Sequence, residues 1–110
     1  MANKYINKAF DLNSTGAITI YTVPAETVAI VKTVQAYNDT ASAVTVTMSF
    51  TDASASTTYD IGYATSSTVQ QFSLLTDNLL VLEESDVLKL TASVGTQVTG
   101  VASILEQDRT

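Results

Sequence analysis

Residues 43–51 read Ala-Val-Thr-Val-Thr-Met-Ser-Phe-Thr, and this stretch decides the fold. Val44, Val46, Met48 and Phe50 share one parity, while Ala43, Thr45, Thr47, Ser49 and Thr51 share the other. Side chains of a strand alternate between faces, so this is an antiparallel strand with one face on a core and one toward solvent. The same period of two runs from about Ala17 to the end of the chain, and no amphipathic helix interrupts it.

Working back from that strand, Asn38-Asp39-Thr40 reads as a turn. Before it, residues 27–38 place Val28, Ile30, Val34 and Ala36 on one face. Lys32 shares their parity, which predicts a bulge or a strand end beside it. Ile18 and Ile20 alternate with Thr19 and Tyr21, and Val23-Pro24 closes that segment because Pro has no amide to give a ladder. Working forward, residues 57–63 (with Tyr59, Ile61 and Tyr63 in phase), 68–75, 79–83, 87–94 and 98–106 are further strands. Short polar connections at 51–56, 64–67, 76–78, 84–86 and 95–97 separate them. Eight or nine short strands at this spacing predict an all-β antiparallel sandwich, with a jelly roll as the preferred arrangement. The predicted organisation is a segment 1–16, read as an N-terminal arm or an edge strand, and a single sandwich domain over 17–110.

Composition narrows the chemistry. The chain has 110 residues, enough for one domain. Charged residues are 15% against 45% hydrophobic, which does not fit disorder. Five Lys+Arg against eleven Asp+Glu give a net charge of −6, unfavourable for nucleic acid or an anionic membrane. Without Cys there is no disulfide and no thiol chemistry, and without His the commonest general base and zinc ligand are missing. Eighteen Thr and eleven Ser supply much of the solvent face, a neutral hydroxyl surface suited to a subunit packed among neighbours. The opening Met-Ala-Asn-Lys-Tyr-Ile-Asn-Lys-Ala-Phe carries no apolar run after its lysines, so synthesis and folding in a cytosol are expected.

The residues with chemical potential have plain structural readings. Glu83, Glu84 and Asp86 cluster in one turn, with Asp52, Asp60 and Asp77 in or beside other loops. A carboxylate pair could do acid–base work, or loop carboxylates could collect Ca²⁺, but adjacent Glu83 and Glu84 point to opposite faces and no EF-hand pattern is present. No Ser-x-x-Lys or Gly-x-Ser-x-Gly occurs, and Gly16, Gly62, Gly95 and Gly100 are isolated rather than clustered as a phosphate loop requires. Asn13-Ser14-Thr15 and Asn38-Asp39-Thr40 match the glycosylation pattern, as chance allows in so hydroxyl-rich a chain. Lys32 on a strand is read as snorkelling to solvent rather than forming an isopeptide bond or a buried ion pair. The five Tyr suit sheet packing, with sugar stacking or protein contact as the functional alternatives.

Two stretches carry a resemblance. Ile20-Tyr21-Thr22-Val23-Pro24-Ala25 followed by Ala29-Ile30-Val31-Lys32-Thr33-Val34-Gln35-Ala36-Tyr37-Asn38 resembles the opening strands of small tailed-phage virion proteins. Leu79-Leu80-Val81-Leu82-Glu83-Glu84-Ser85-Asp86-Val87-Leu88-Lys89-Leu90 resembles their later hairpin, with Ser85 where a Gly commonly stands before the Asp. The resemblance covers roughly a quarter of the chain and implies a β-sandwich of the virion, of the capsid decoration or cement type. It implies no catalytic residue. The expected function is therefore non-enzymatic stabilisation of a capsid shell by binding across major capsid subunits, on the virion surface, without cofactor, metal, nucleic acid or membrane. A tail, neck or fibre component and a glycan- or receptor-binding sandwich are the alternatives. Lightly guarded sheet edges predict a homo-oligomer. The resembled family favours a trimer, and Tyr5, Phe10 and Leu12 are the expected anchors of residues 1–16 on a neighbour.

Overall fold

The computed structural model describes residues 3–75, 79–94 and 98–108, and every regular element among them is a strand. In chain order these are β1 (Asn3–Leu12), β2 (Ile18–Thr22), β3 (Thr27–Asn38), β4 (Val44–Asp52), β5 (Thr57–Ser66), β6 (Gln70–Leu75), β7 (Leu80–Leu82), β8 (Val87–Ala92) and β9 (Val98–Asp108). The predicted turns at 76–78 and 95–97, with Asp77 and Gly95, lie outside the described residues.

One sheet runs β1-β9-β3-β6, with short β7 also paired to β3; the other runs β2-β8-β4-β5. All ladders are antiparallel. This order, in which each sheet takes strands from both halves of the chain, is that of a jelly roll. Sequence neighbours mostly sit in opposite sheets, so most connections cross the sandwich; β4 and β5 form a hairpin within one sheet, and β6 and β7 both pair with β3. Between the sheets lie Leu12, Val31, Val34, Val46, Leu82, Leu88, Leu90 and Ile104, all essentially without solvent contact.

The segment before Gly16 is not a free arm where it is described. Residues 3–12 form β1, an edge strand paired along its whole length with β9, from Asn3 opposite Gln107 to Leu12 opposite Val98. The same pairing sets Phe10 opposite Gly100, where a Cβ would stand 2.5 Å from the Phe10 ring. Only a glycine leaves room for that ring.

Three bulges correct the simple parity reading. In β3 the register with β9 skips Lys32, passing from Val31 opposite Ile104 to Thr33 opposite Ser103. An extra residue reverses the alternation, so Ala29 and Val31 face the core before it, and Val34 and Ala36 after it. Val28 and Ile30 therefore do not share the core face of Val34 and Ala36; they stand on the outer face. In β2 the shift falls at Ile20, which turns Tyr21 inward. In β5 it falls at Ile61, so Tyr59 and Tyr63 are out of phase: Tyr59 packs against Phe50, ring centroids 5.9 Å apart, while Tyr63 stands opposite the outer Thr47.

Candidate functional site

Two of the three carboxylates of the 83–86 turn, those of Glu84 and Asp86, are spent on backbone. Ser85 takes a left-handed φ of 71°, which turns the chain tightly enough for the Asp86 N–H to donate to the Glu83 carbonyl at 3.0 Å. A non-glycine residue bears roughly 1–2 kcal/mol in that conformation. Asp86 is buried, and its Oδ1 and Oδ2 accept the N–H groups of Ala53 and Glu83, each at 2.9 Å. Its own carbonyl accepts the Val23 N–H at 3.0 Å, while the Ser85 N–H donates to the Val23 carbonyl at 3.1 Å. One aspartate thus binds three loops at one end of the sandwich. Glu84 Oε1 accepts the Glu26 N–H at 2.6 Å, across an open cleft of about 310 Å³ lined by Glu26, Thr27, Val28, Glu83 and Glu84. Asp52 accepts the amide and hydroxyl of Ser54 in its own turn, and Asp60 lies on β5 opposite Ser49. Among the described residues no three acidic side chains are grouped to hold a metal.

The far end is closed by Asn38, which the glycosylation pattern had singled out. It is fully buried; its amide donates to the Ser42 carbonyl at 3.0 Å and the Thr68 carbonyl at 3.1 Å, and its Oδ1 accepts the Thr40 N–H at 3.0 Å. A side chain so enclosed has no atom left to carry a glycan. Lys32, at the β3 bulge, is exposed with its ammonium 5.6 Å from the centre of the Tyr5 ring.

One buried polar pair was missed by the sequence reading. Tyr21 of β2 donates its hydroxyl hydrogen to Glu106 Oε2 of β9, tying one sheet to the other. Burial first, then the hydrogen bond to Glu106 and that carboxylate's negative charge, push the Tyr21 hydroxyl well above its ordinary pKa. The Lys8 ammonium sits 6.0 Å from the centre of the Tyr21 ring. The arrangement joins the sheets and presents no open face to a substrate. Only the bulge at Ile20, invisible to strict alternation, brings Tyr21 inside.

The three expected anchors separate. Phe10 (8% exposed) and Leu12 (0%) fill the core of their own chain, because β1 inserts its alternate residues between the sheets; Tyr5 is 76% exposed. It does not stand alone. Tyr5 lies opposite Leu105, Leu105 opposite Ile30, and Ile30 opposite Val81, so one row of apolar side chains crosses the outer face of β1, β9, β3 and β7. The opposite sheet ends in β5, ten residues long, with Tyr59, Ile61 and Tyr63 exposed and neither proline nor a basic residue within it. By contrast, edge strand β1 carries Lys4 and Lys8, the kind of residue that discourages another chain from adding to an edge. The surfaces of this protein that differ from ordinary solvent faces are thus a sheet face and a sheet edge.

No protein-family model matches the chain, and no curated protein matches it. Solved structures do. Eiger TNF from S. frugiperda is similar with a TM-score of 0.51 and 12% identity, over 96% of this chain and 94% of that one. A Bacillus endospore-appendage protein that forms disulfide-linked pili is similar with a TM-score of 0.52 and 10% identity, over 99% of this chain and 88% of its own. A pentameric capsid protein from metagenomic phage sequences covers 91% of this chain and 66% of that one, at 18% identity and a TM-score of 0.49. At such identities the likeness is one of fold, and one fold hosts many functions. What the first two comparisons establish is a likeness of overall fold.

Proposed function

We propose that this chain is a non-enzymatic structural protein of a phage virion, a decoration protein that binds across neighbouring subunits of the capsid shell. The observation that carries the reading is the β5 edge: a ten-residue strand, open along one side, with Tyr59, Ile61 and Tyr63 exposed and Asp60 its one charge. An unpaired edge offers a row of N–H and C=O groups to a strand of another protein, and exposed Tyr and Ile add apolar contact beside it. The resemblance of residues 20–25, 29–38 and 79–90 to small tailed-phage virion proteins supports a shell subunit as that other protein. A single edge contact is modest, and many copies on one shell raise the total avidity without new contacts. The polar groups that could have served chemistry, Asp86, Asn38 and the Tyr21–Glu106 pair, are engaged in holding loops and sheets together, which supports a structural role. Self-association belongs to the same reading, and the resemblance implies three copies.

The test is co-sedimentation of the purified protein with a shell formed by the major capsid subunit of the same virion. Retention is expected, and Ile61→Lys, which places a charge on the open edge, is expected to weaken it at least tenfold while the circular dichroism stays that of a sheet protein. Wild-type protein that stays in the supernatant overturns the decoration reading. Full retention of Ile61→Lys removes β5 from the contact.

A further inference from the structure

The outer face of the β1-β9-β3 sheet can be written out row by row from its registers. Asn3, Gln107 and Val28 form one row; Tyr5, Leu105, Ile30 and Val81 the next. Asn7, Ser103 and Thr33 follow, then Ala9, Val101, Gln35 and Ser73, then Asp11, Thr99, Tyr37 and Gln71. Across these five rows Asp11 is the one ionised side chain, and the bulge adds Lys32, which lies over the Tyr5 ring. These rows are therefore neutral on a chain of net charge −6, with Glu26, Glu83 and Glu84 bordering them beside Val28. The apolar row is open to solvent at both ends, Tyr5 at 76% and Val81 at 58% exposed.

We infer that this face is the docking surface for a second copy of the same chain, packed sheet face to sheet face. Charge permits that occupant. Two copies repel through their net charge, and the rows of this face bring Asp11 and Lys32, one of each sign, to the contact. The outer face of the other sheet, with Asp60 and Lys89 on either side of Ser49, is as balanced but carries no such apolar row. Size agrees. Four strands about 4.8 Å apart, with rows spanning about ten residues at ~3.3 Å each, give roughly 600 Å² in projection. Side chains standing on that area bring its accessible surface toward the ~800 Å² per partner of a standard interface. The chemistry of the face agrees as well: a central Tyr/Leu/Ile/Val row bordered by Asn, Gln, Ser and Thr has the apolar middle and polar rim of a subunit contact. Packing of this kind joins copies two at a time, so a three-copy particle would have to use another surface.

The inference rests on the reading of the chain as a self-assembling subunit, and mass measured against concentration tests it. Sedimentation equilibrium or light scattering of the wild-type chain is expected to give twice the chain mass, and the association is expected to tighten with added salt, which screens the repulsion of like-charged copies. Val81→Glu and Tyr5→Glu, both at exposed positions, are each expected to weaken association at least tenfold; Tyr63→Glu, on the outer face of the other sheet, is expected to leave it unchanged. A wild-type chain that stays monomeric overturns the inference. So does an oligomer that tolerates both Val81→Glu and Tyr5→Glu, or one that Tyr63→Glu disrupts. Shell retention is read separately: pairing without retention removes the decoration reading and upholds this one, and retention of a chain that never pairs does the reverse.

Discussion

Tyr21 shows how much a single residue can do between two sheets. Its hydroxyl is the donor for Glu106, and losing it leaves a buried carboxylate oxygen without a partner, at a cost of about 1–3 kcal/mol. The same bond makes stability depend on pH. In the unfolded chain a tyrosine loses its proton near pH 10; in the folded chain burial and Glu106 hold the Tyr21 proton to higher pH. Below pH 10 both states keep the proton and the contribution is fully present. Above it the unfolded state binds fewer protons than the folded one, so stability falls as pH rises. Thermal midpoints measured from pH 8 to pH 11.5 should therefore decline past pH 10 in the wild type. Tyr21→Phe should start lower and decline less steeply; parallel slopes would detach the effect from this residue.

At the scale of elements, the β3 bulge is the feature that decides which residues are core. Val31 and Ile30 are adjacent, both β-branched, and equally plausible in a list of apolar strand residues. Only Val31 lies between the sheets, with no solvent contact; Ile30 is half-buried on the outer face. Replacing Val31 with Thr keeps the shape and buries a hydroxyl, expected to cost about 1–3 kcal/mol. Ile30→Thr should cost less than about 1 kcal/mol in the isolated chain, since the new hydroxyl reaches water. Urea unfolding of the two variants distinguishes the assignments. Equal losses, or a greater loss for Ile30→Thr, would place the bulge elsewhere. Alternation announced the strand and Lys32 marked the irregularity, yet the parity of a bulged strand is fixed by the partner that pairs on either side of it. The same applies at Ile20 and Ile61.

At the scale of the whole molecule, the chain's first strand lies against its last. β1 supplies Phe10 and Leu12 to the core and covers the edge of β9, which in turn pairs with β3. Removing residues 2–12 takes away two large buried side chains, about 3–5 kcal/mol for a Phe and 2–5 for a Leu. That sum rivals the 5–15 kcal/mol stability of a typical domain. The truncated chain is expected to lose its cooperative thermal transition; a truncated protein that still melted within a few degrees of the wild type would show β1 to be dispensable.

What the sequence determined by itself was set by short-range physics. Alternation made the strands, Pro and polar runs ended them, and the absence of Cys and His removed whole classes of chemistry. Two-sheet packing followed from the number of half-buried strands in so short a chain. The tertiary structure alone decided which strands pair, and pairing decided the rest. It drew Phe10 and Leu12 out of an expected contact with a neighbour and into the core. It brought Tyr21 within reach of Glu106, 85 residues away. It also aligned Tyr5, Leu105, Ile30 and Val81, four residues from four separated segments, into one row. Such a row has no signature along the chain, because strands 4.8 Å apart in space can be tens of residues apart in sequence.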